Sequence, residues 1–108
     1  MAGIIIVGSS SGDPSPDRAN ASLILNAGNE LYQFDAGEGF SSSLLRLKLN
    51  HSDIGTIFIS HGHADHIAGL FLEIQMMHLA KRTRPLSIHM PEELVDPIRK
   101  FLSDCQKI

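Results

Sequence analysis

The chain of 108 residues has one cysteine and no tryptophan. The lone thiol, Cys105, has no partner within the chain, which excludes an internal disulfide and favours a reducing compartment, with the cytoplasm as the expectation. Aromatic residues are few, at 6%, yet an apolar fraction of 43% is ordinary for a globular core. No stretch approaches the length of a membrane span, so no membrane association is expected. The apolar run Ile4-Ile5-Ile6-Val7 is too short for the core of a signal peptide and has no basic flank. Cationic residues are not in excess: 9 Lys and Arg stand against 12 Asp and Glu, for a formal net charge of −3. That balance gives no global attraction to nucleic acid. Internal repeats and linkers are also lacking, and the length amounts to one domain at most.

What is present alternates between strand-like and helix-like stretches. Ile4 to Val7 is a β-branched run that predicts a strand covered on both faces. The Gly8 to Pro16 stretch after it is a loop by composition. Its spacing does not match G-x-G-x-x-G, and two prolines stand where a helix should start, so a dinucleotide site is not expected. Ser22 to Asn26 and Leu31 to Asp35 predict two strands joined by the turn Ala27-Gly28-Asn29-Glu30. Gly37-Glu38-Gly39 leads into a helix ending near Leu49, with Asn50 suited to a left-handed cap. Asp53 to Ser60 predicts a strand, and Asp65 to about Lys81 a single helix, apolar nearly all round and therefore buried on more than one side. The basic run Lys81-Arg82-Thr83-Arg84 reads as a solvated helix end. Leu86 to Met90 predicts the last strand. Pro91-Glu92-Glu93 opens a final helix that either kinks at Pro97 or restarts there.

The stretch that organises the rest is His61-Gly62-His63-Ala64-Asp65-His66, four potential metal ligands within six positions where a strand meets a helix. An affinity tag would be a plain histidine run; this one is internal and mixed with aspartate. Residues two apart in an extended loop point the same way, so His61 and His63 can grip one metal. Asp65 and His66, at the start of the following helix, point elsewhere and suit a second. Gly62 and Ala64 are small enough for a tight turn and an open pocket. Imidazoles with a carboxylate suit zinc, and also manganese or iron.

These residues resemble a known family. His61-x-His63-x-Asp65-His66 matches the H-x-H-x-D-H motif of the metallo-β-lactamase fold. Phe34-Asp35-Ala36-Gly37-Glu38-Gly39 resembles the F-D-x-G-E-G segment of its ribonuclease Z-like branch, and Pro14 to Asn20 resembles the loop after that branch's first strand. Gly69 and the apolar helix also fit, and the likeness runs from about Ile4 to Leu102. The resemblance implies an α/β fold: the first half of an αββα sandwich, a mixed sheet with flanking helices. Residues 1–108 would be that N-terminal half, with the C-terminal half absent. It implies two metals in the complete site, His61 and His63 on the first and Asp65 and His66 on the second. Asp65 would also act catalytically, orienting or deprotonating the attacking water. Asp35 would orient the ligand loop or simply form its turn. The third histidine, bridging aspartate and last histidine of the family's site come from the second half; His51, His78 and His89 occur in no matching context and are read as structural.

By the same resemblance the expected activity is metal-dependent hydrolysis of a phosphodiester, in RNA or in a small molecule, with lactones, sulfate esters and thioesters as further substrate classes. A di-iron redox protein on this fold usually has Glu where His63 stands. A non-catalytic metal-binding or interaction module is the alternative that the missing ligands favour. A half-sandwich leaves an apolar sheet face open, so a homodimer, or pairing with the missing half, is expected.

Overall fold

A computed structural model of the chain describes residues 2–8 and 22–106. The expected loops at Gly8–Pro16 and Pro14–Asn20 lie outside the described residues, apart from Gly8. Among the described residues one five-stranded sheet carries the fold in the order β1 (Ala2–Gly8), β2 (Ser22–Ala27), β3 (Glu30–Phe34), β4 (Ile54–Phe58) and β5 (Ser87–His89). The first three strands pair antiparallel, while β3–β4 and β4–β5 are parallel. The mixed sheet with flanking helices is the expected class.

Local chemistry explains each joint. Ala27 pairs with Glu30 across a two-residue loop, and Gly28 there has a φ of 76°, a left-handed conformation that glycine adopts without penalty. Parallel pairing of β3 with β4 needs a crossover, supplied by α1 (Phe40–Arg46) and a 3₁₀ turn at His51–Asp53. Asn50 does not take the left-handed cap expected of it. Lys48 does, with φ 59°, and Asn50 stays extended so that its Oδ1 accepts from Ser52 N–H at 2.9 Å and caps the 3₁₀ turn.

The expected helix from Asp65 to Lys81 is two: α2 (Ala64–Ile67) and α3 (Leu70–Leu79). The break has a packing cause. Gly69 N–H donates to Ala36 O at 2.8 Å, and a Cβ on Gly69 would collide with the Gly37 carbonyl oxygen. Nor is α3 buried all round. Leu70, Glu73, Ile74 and Met77 are buried, whereas Leu72 is 57% and Leu79 70% exposed. The basic run beyond it is less solvated than expected: Arg82 donates to the carbonyls of His51, Arg84 and Pro85 at 2.9–3.1 Å, and Arg84 to Glu30 Oε1 at 2.6 Å. No fresh helix starts at Pro97: α4 (Glu92–Phe101) runs through it into a π-helical turn at Leu102–Gln106, and Pro91 stands just before the helix rather than in it.

The core gathers Val7, Ile24, Leu31, Ile54 and Ile57 from the sheet with Phe40, Leu44, Leu70, Ile74, Met77 and Ile98 from the helices. On β1, Ile4 and Ile6 remain 70% and 67% exposed, so this strand is not covered on both faces as expected. Leu23, Leu25 and Phe34 line a shallow apolar depression beside Ile4. Among the described residues no helix is long and apolar enough to cross a membrane.

Candidate metal centre

The site lies beyond the carboxyl ends of β3 and β4, where Phe34 pairs with Phe58. Asp35 N–H extends the ladder to Phe58 O at 2.7 Å, and Asp35 then turns left-handed with φ 62°. Aspartate tolerates that region better than most residues. Ala36 N–H donates to His66 O at 2.7 Å, tying α2 to this turn. From β4 the chain runs extended to His63, which precedes α2 with φ −66° and ψ 144°.

His61, His63 and Asp65 offer ligand atoms that all lie within 4.8 Å of one another. His66 is not in that group, but its ring sits 4.0 Å from that of His61, and its Nε2 is 3.3 Å from Asp65 Oδ2. Asp65 does not point away from the histidine pair as expected but joins it, because the turn into α2 brings its carboxylate back toward both rings, and His66 lies beside them. Among the described residues His51, His78 and His89 are not in the group. His78 is exposed, and His89 is exposed and stacks on Phe58 with ring centroids 5.2 Å apart.

The Asp35 carboxylate organises the imidazoles. His66 Nδ1 faces Asp35 Oδ2 at 2.8 Å. Opposite a carboxylate Nδ1 donates, so Nε2, which faces Asp65 Oδ2 at 3.3 Å, is the nitrogen available to a metal. Ser60 N–H donates to Asp35 Oδ1 at 2.8 Å, and Ser60 Oγ lies 2.9 and 3.0 Å from the two carboxylate oxygens. The hydroxyl has one proton and gives it to Asp35, so Oγ accepts from His61 Nδ1–H at 2.9 Å. His61 therefore presents Nε2 as well. One carboxylate sets two tautomers, one directly and one through Ser60, so Asp35 both forms the turn and orients the ligand loop. Two imidazoles that turn Nε2 away from Asp35 and Ser60, a third imidazole and a carboxylate fit a divalent ion of the zinc, manganese or iron type.

Sequence reading did not single out Ser60, which immediately precedes His61. It also passed over Gln33 and Glu73, which are 0% exposed. A glutamine at an inward position of an alternating strand, and one acid within Leu70-Phe71-Leu72-Glu73-Ile74, were the available signals.

Comparison with known proteins places this geometry. The family model described as anti-Pycsar protein Apyc1 matches residues 2–106. The chain belongs to that family. It is a ribonuclease Z-like member of the metallo-β-lactamase fold. Ribonuclease Z of Pyrococcus abyssi is 37% identical over 103 residues, covering 95% of this chain and 34% of the relative. The crystal structure of human tRNase Z, short form, superposes with a TM-score of 0.86 at 31% identity, over 95% of this chain and 40% of that one. The metallo-β-lactamase fold protein YhfI of Bacillus subtilis gives a TM-score of 0.75 at 22% identity, over 91% and 41% of the two chains, a likeness of fold alone. The chain spans about a third of the length of the curated relatives it matches.

Proposed function

We propose that this chain forms the metal-binding half of a metal-dependent hydrolase whose complete site cleaves phosphodiesters, with RNA or a small molecule as substrate. The observation that carries the reading is the convergence of His61, His63 and Asp65 within 4.8 Å, beside a His66 whose Nδ1 is held by Asp35. His61 and His63 would hold one ion, with Asp65 shared between it and a second at His66. Zinc, manganese or iron bound there would supply a Lewis acid for a phosphoryl oxygen and lower the pKa of a coordinated water. Asp65 would orient that water and take its proton. Asp35 and Ser60 would hold Nδ1 of His66 and His61, leaving Nε2 of each to the metal. Relatives named ribonuclease Z support the phosphodiester class, and the exposed thiol of Cys105 supports a reducing compartment, the cytoplasm. Pairing through the exposed Ile4–Ile6 face, with a second copy or with the other half of the sandwich, would complete the layer the sheet lacks.

Turnover of a generic phosphodiester, compared with a lactone, in zinc or manganese tests the reading. The chain alone is expected to work far below a complete family site, since catalytic ions of this kind keep about three protein ligands each. Its residual rate should favour the phosphodiester and vanish in the His61→Ala, His63→Ala double variant. A rate indifferent to that variant would exclude these residues from the chemistry.

A further inference from the structure

Glu73 has no part in the site as described, yet it is the acid most deeply placed among the described residues. It sits in the first turn of α3 with no exposure, and no cation lies within ion-pair distance among the described residues. Its Oε1 accepts from Gln33 Nε2 at 2.8 Å. The same Gln33 Nε2 lies 3.1 Å from the carbonyl oxygen of Asp35. Burying an acid against the sheet costs stability that a leucine at this position would not.

We propose that Glu73 is a positioning residue for the metal centre: as a neutral acid it fixes the Gln33 carboxamide, which holds the Asp35 backbone in the left-handed turn that aims its carboxylate at His66 and Ser60. The proposal rests on reading the His61–His66 cluster as a metal site. Two observations support the neutral state. Glu73 Oε2 and Gln33 Oε1 are both buried without a partner among the described residues. They belong to one hydrogen-bonded pair, and a proton on the Glu73 carboxyl would supply a donor where the ionised acid offers only acceptors. Burial also pushes the Glu73 carboxyl up to about 8, against the opposing pull of the Gln33 hydrogen bond and of Arg82. The relay passes through Asp35 O rather than its carboxylate, so it constrains where the carboxylate points and leaves its acceptor atoms to Ser60 and His66.

Three variants separate positioning from mere packing: Glu73→Gln keeps a neutral hydrogen-bonding group, Glu73→Met fills the space without one, and Gln33→Met removes the other partner. The first readout is the ¹⁵N NMR signature of the His66 imidazole in the metal-free chain. Wild type and Glu73→Gln should give the same Nδ1 and Nε2 shifts; both methionine variants should move the Nδ1 signal. The second is cobalt affinity, followed by its visible absorption, expected to fall about tenfold in the methionine variants, the low end for groups that orient ligands, and to be retained in Glu73→Gln. A folded methionine variant with wild-type His66 signals would overturn the proposal, and so would a Glu73→Gln chain that behaves like Glu73→Met. If one methionine variant does not fold, the other decides. A wild-type chain that takes up no cobalt would sink the metal reading, while the NMR comparison would still decide the role of Glu73.

Discussion

Asp35 makes the site legible at the scale of single residues. It accepts from His66 and twice from Ser60 while its backbone turns left-handed. Asp35→Asn should keep the turn, because asparagine tolerates that conformation, but lose the anionic acceptor. Zinc affinity, measured by competition with a chromogenic chelator, should drop about 10- to 100-fold. The His61→Ala, His63→Ala variant should lose metal altogether by elemental analysis, and uptake by the wild type should fall in acid because only neutral imidazoles ligate. Glu73 adds a pH dependence of opposite sense. Its folded value of about 8 lies above the ordinary 4.5, so the native chain keeps a proton that the unfolded chain has released. Stability should therefore decline as pH rises between those values, and Glu73→Gln should flatten the decline in urea melts across that window. The four ligands could be read from sequence because they are neighbours in the chain. Ser60, Gln33 and Glu73 left weak signals at most, because their meaning comes from contacts made 25 and 40 residues away.

At the scale of elements, the sequence conveyed type better than boundary. Strand β4 and the helical region after the histidines follow from composition. The break at Gly69 does not, because apolar residues continue on both sides of it and it is the approach of the Gly37 and Ala36 carbonyls that forbids a side chain there. Gly69→Ala must push α3 away from the Ala36–Gly37 turn, which is backbone and cannot yield as a side chain would. It should cost about 1–3 kcal/mol, the usual range for overpacking, and a denaturant melt would measure it. Gly62→Ala is the milder counterpart, since the added methyl would meet only the flexible tip of Leu94. The left-handed cap at Lys48 rather than Asn50 shows a similar limit: asparagine suits either role, and the 3₁₀ turn it caps through Ser52 decided between them.

At the scale of the molecule, the open face of β1 is what the expectation of a half-sandwich allows for, although its β-branched run alone predicted cover on both faces. The register that brings Asp35 beside Ser60 was not visible there, because parallel pairing depends on how the crossover packs. Ile4 and Ile6 stand open on β1, and each Å² of apolar area removed from water contributes roughly 25 cal/mol. Light scattering at micromolar concentration should report association, and Ile4→Lys with Ile6→Lys should return the chain to monomer; a wild-type monomer that binds no hydrophobic dye would rule out pairing through this face. The parallel neighbours β3 and β4 also order events in time. Asp35 and His66 are 31 residues apart in sequence and meet only across that pair. Closing so long a loop costs chain entropy before any contact is made in return. During refolding, the His66–Asp35 signal should therefore emerge no earlier than amide protection in β4, which would make the imidazole a clock for crossover closure.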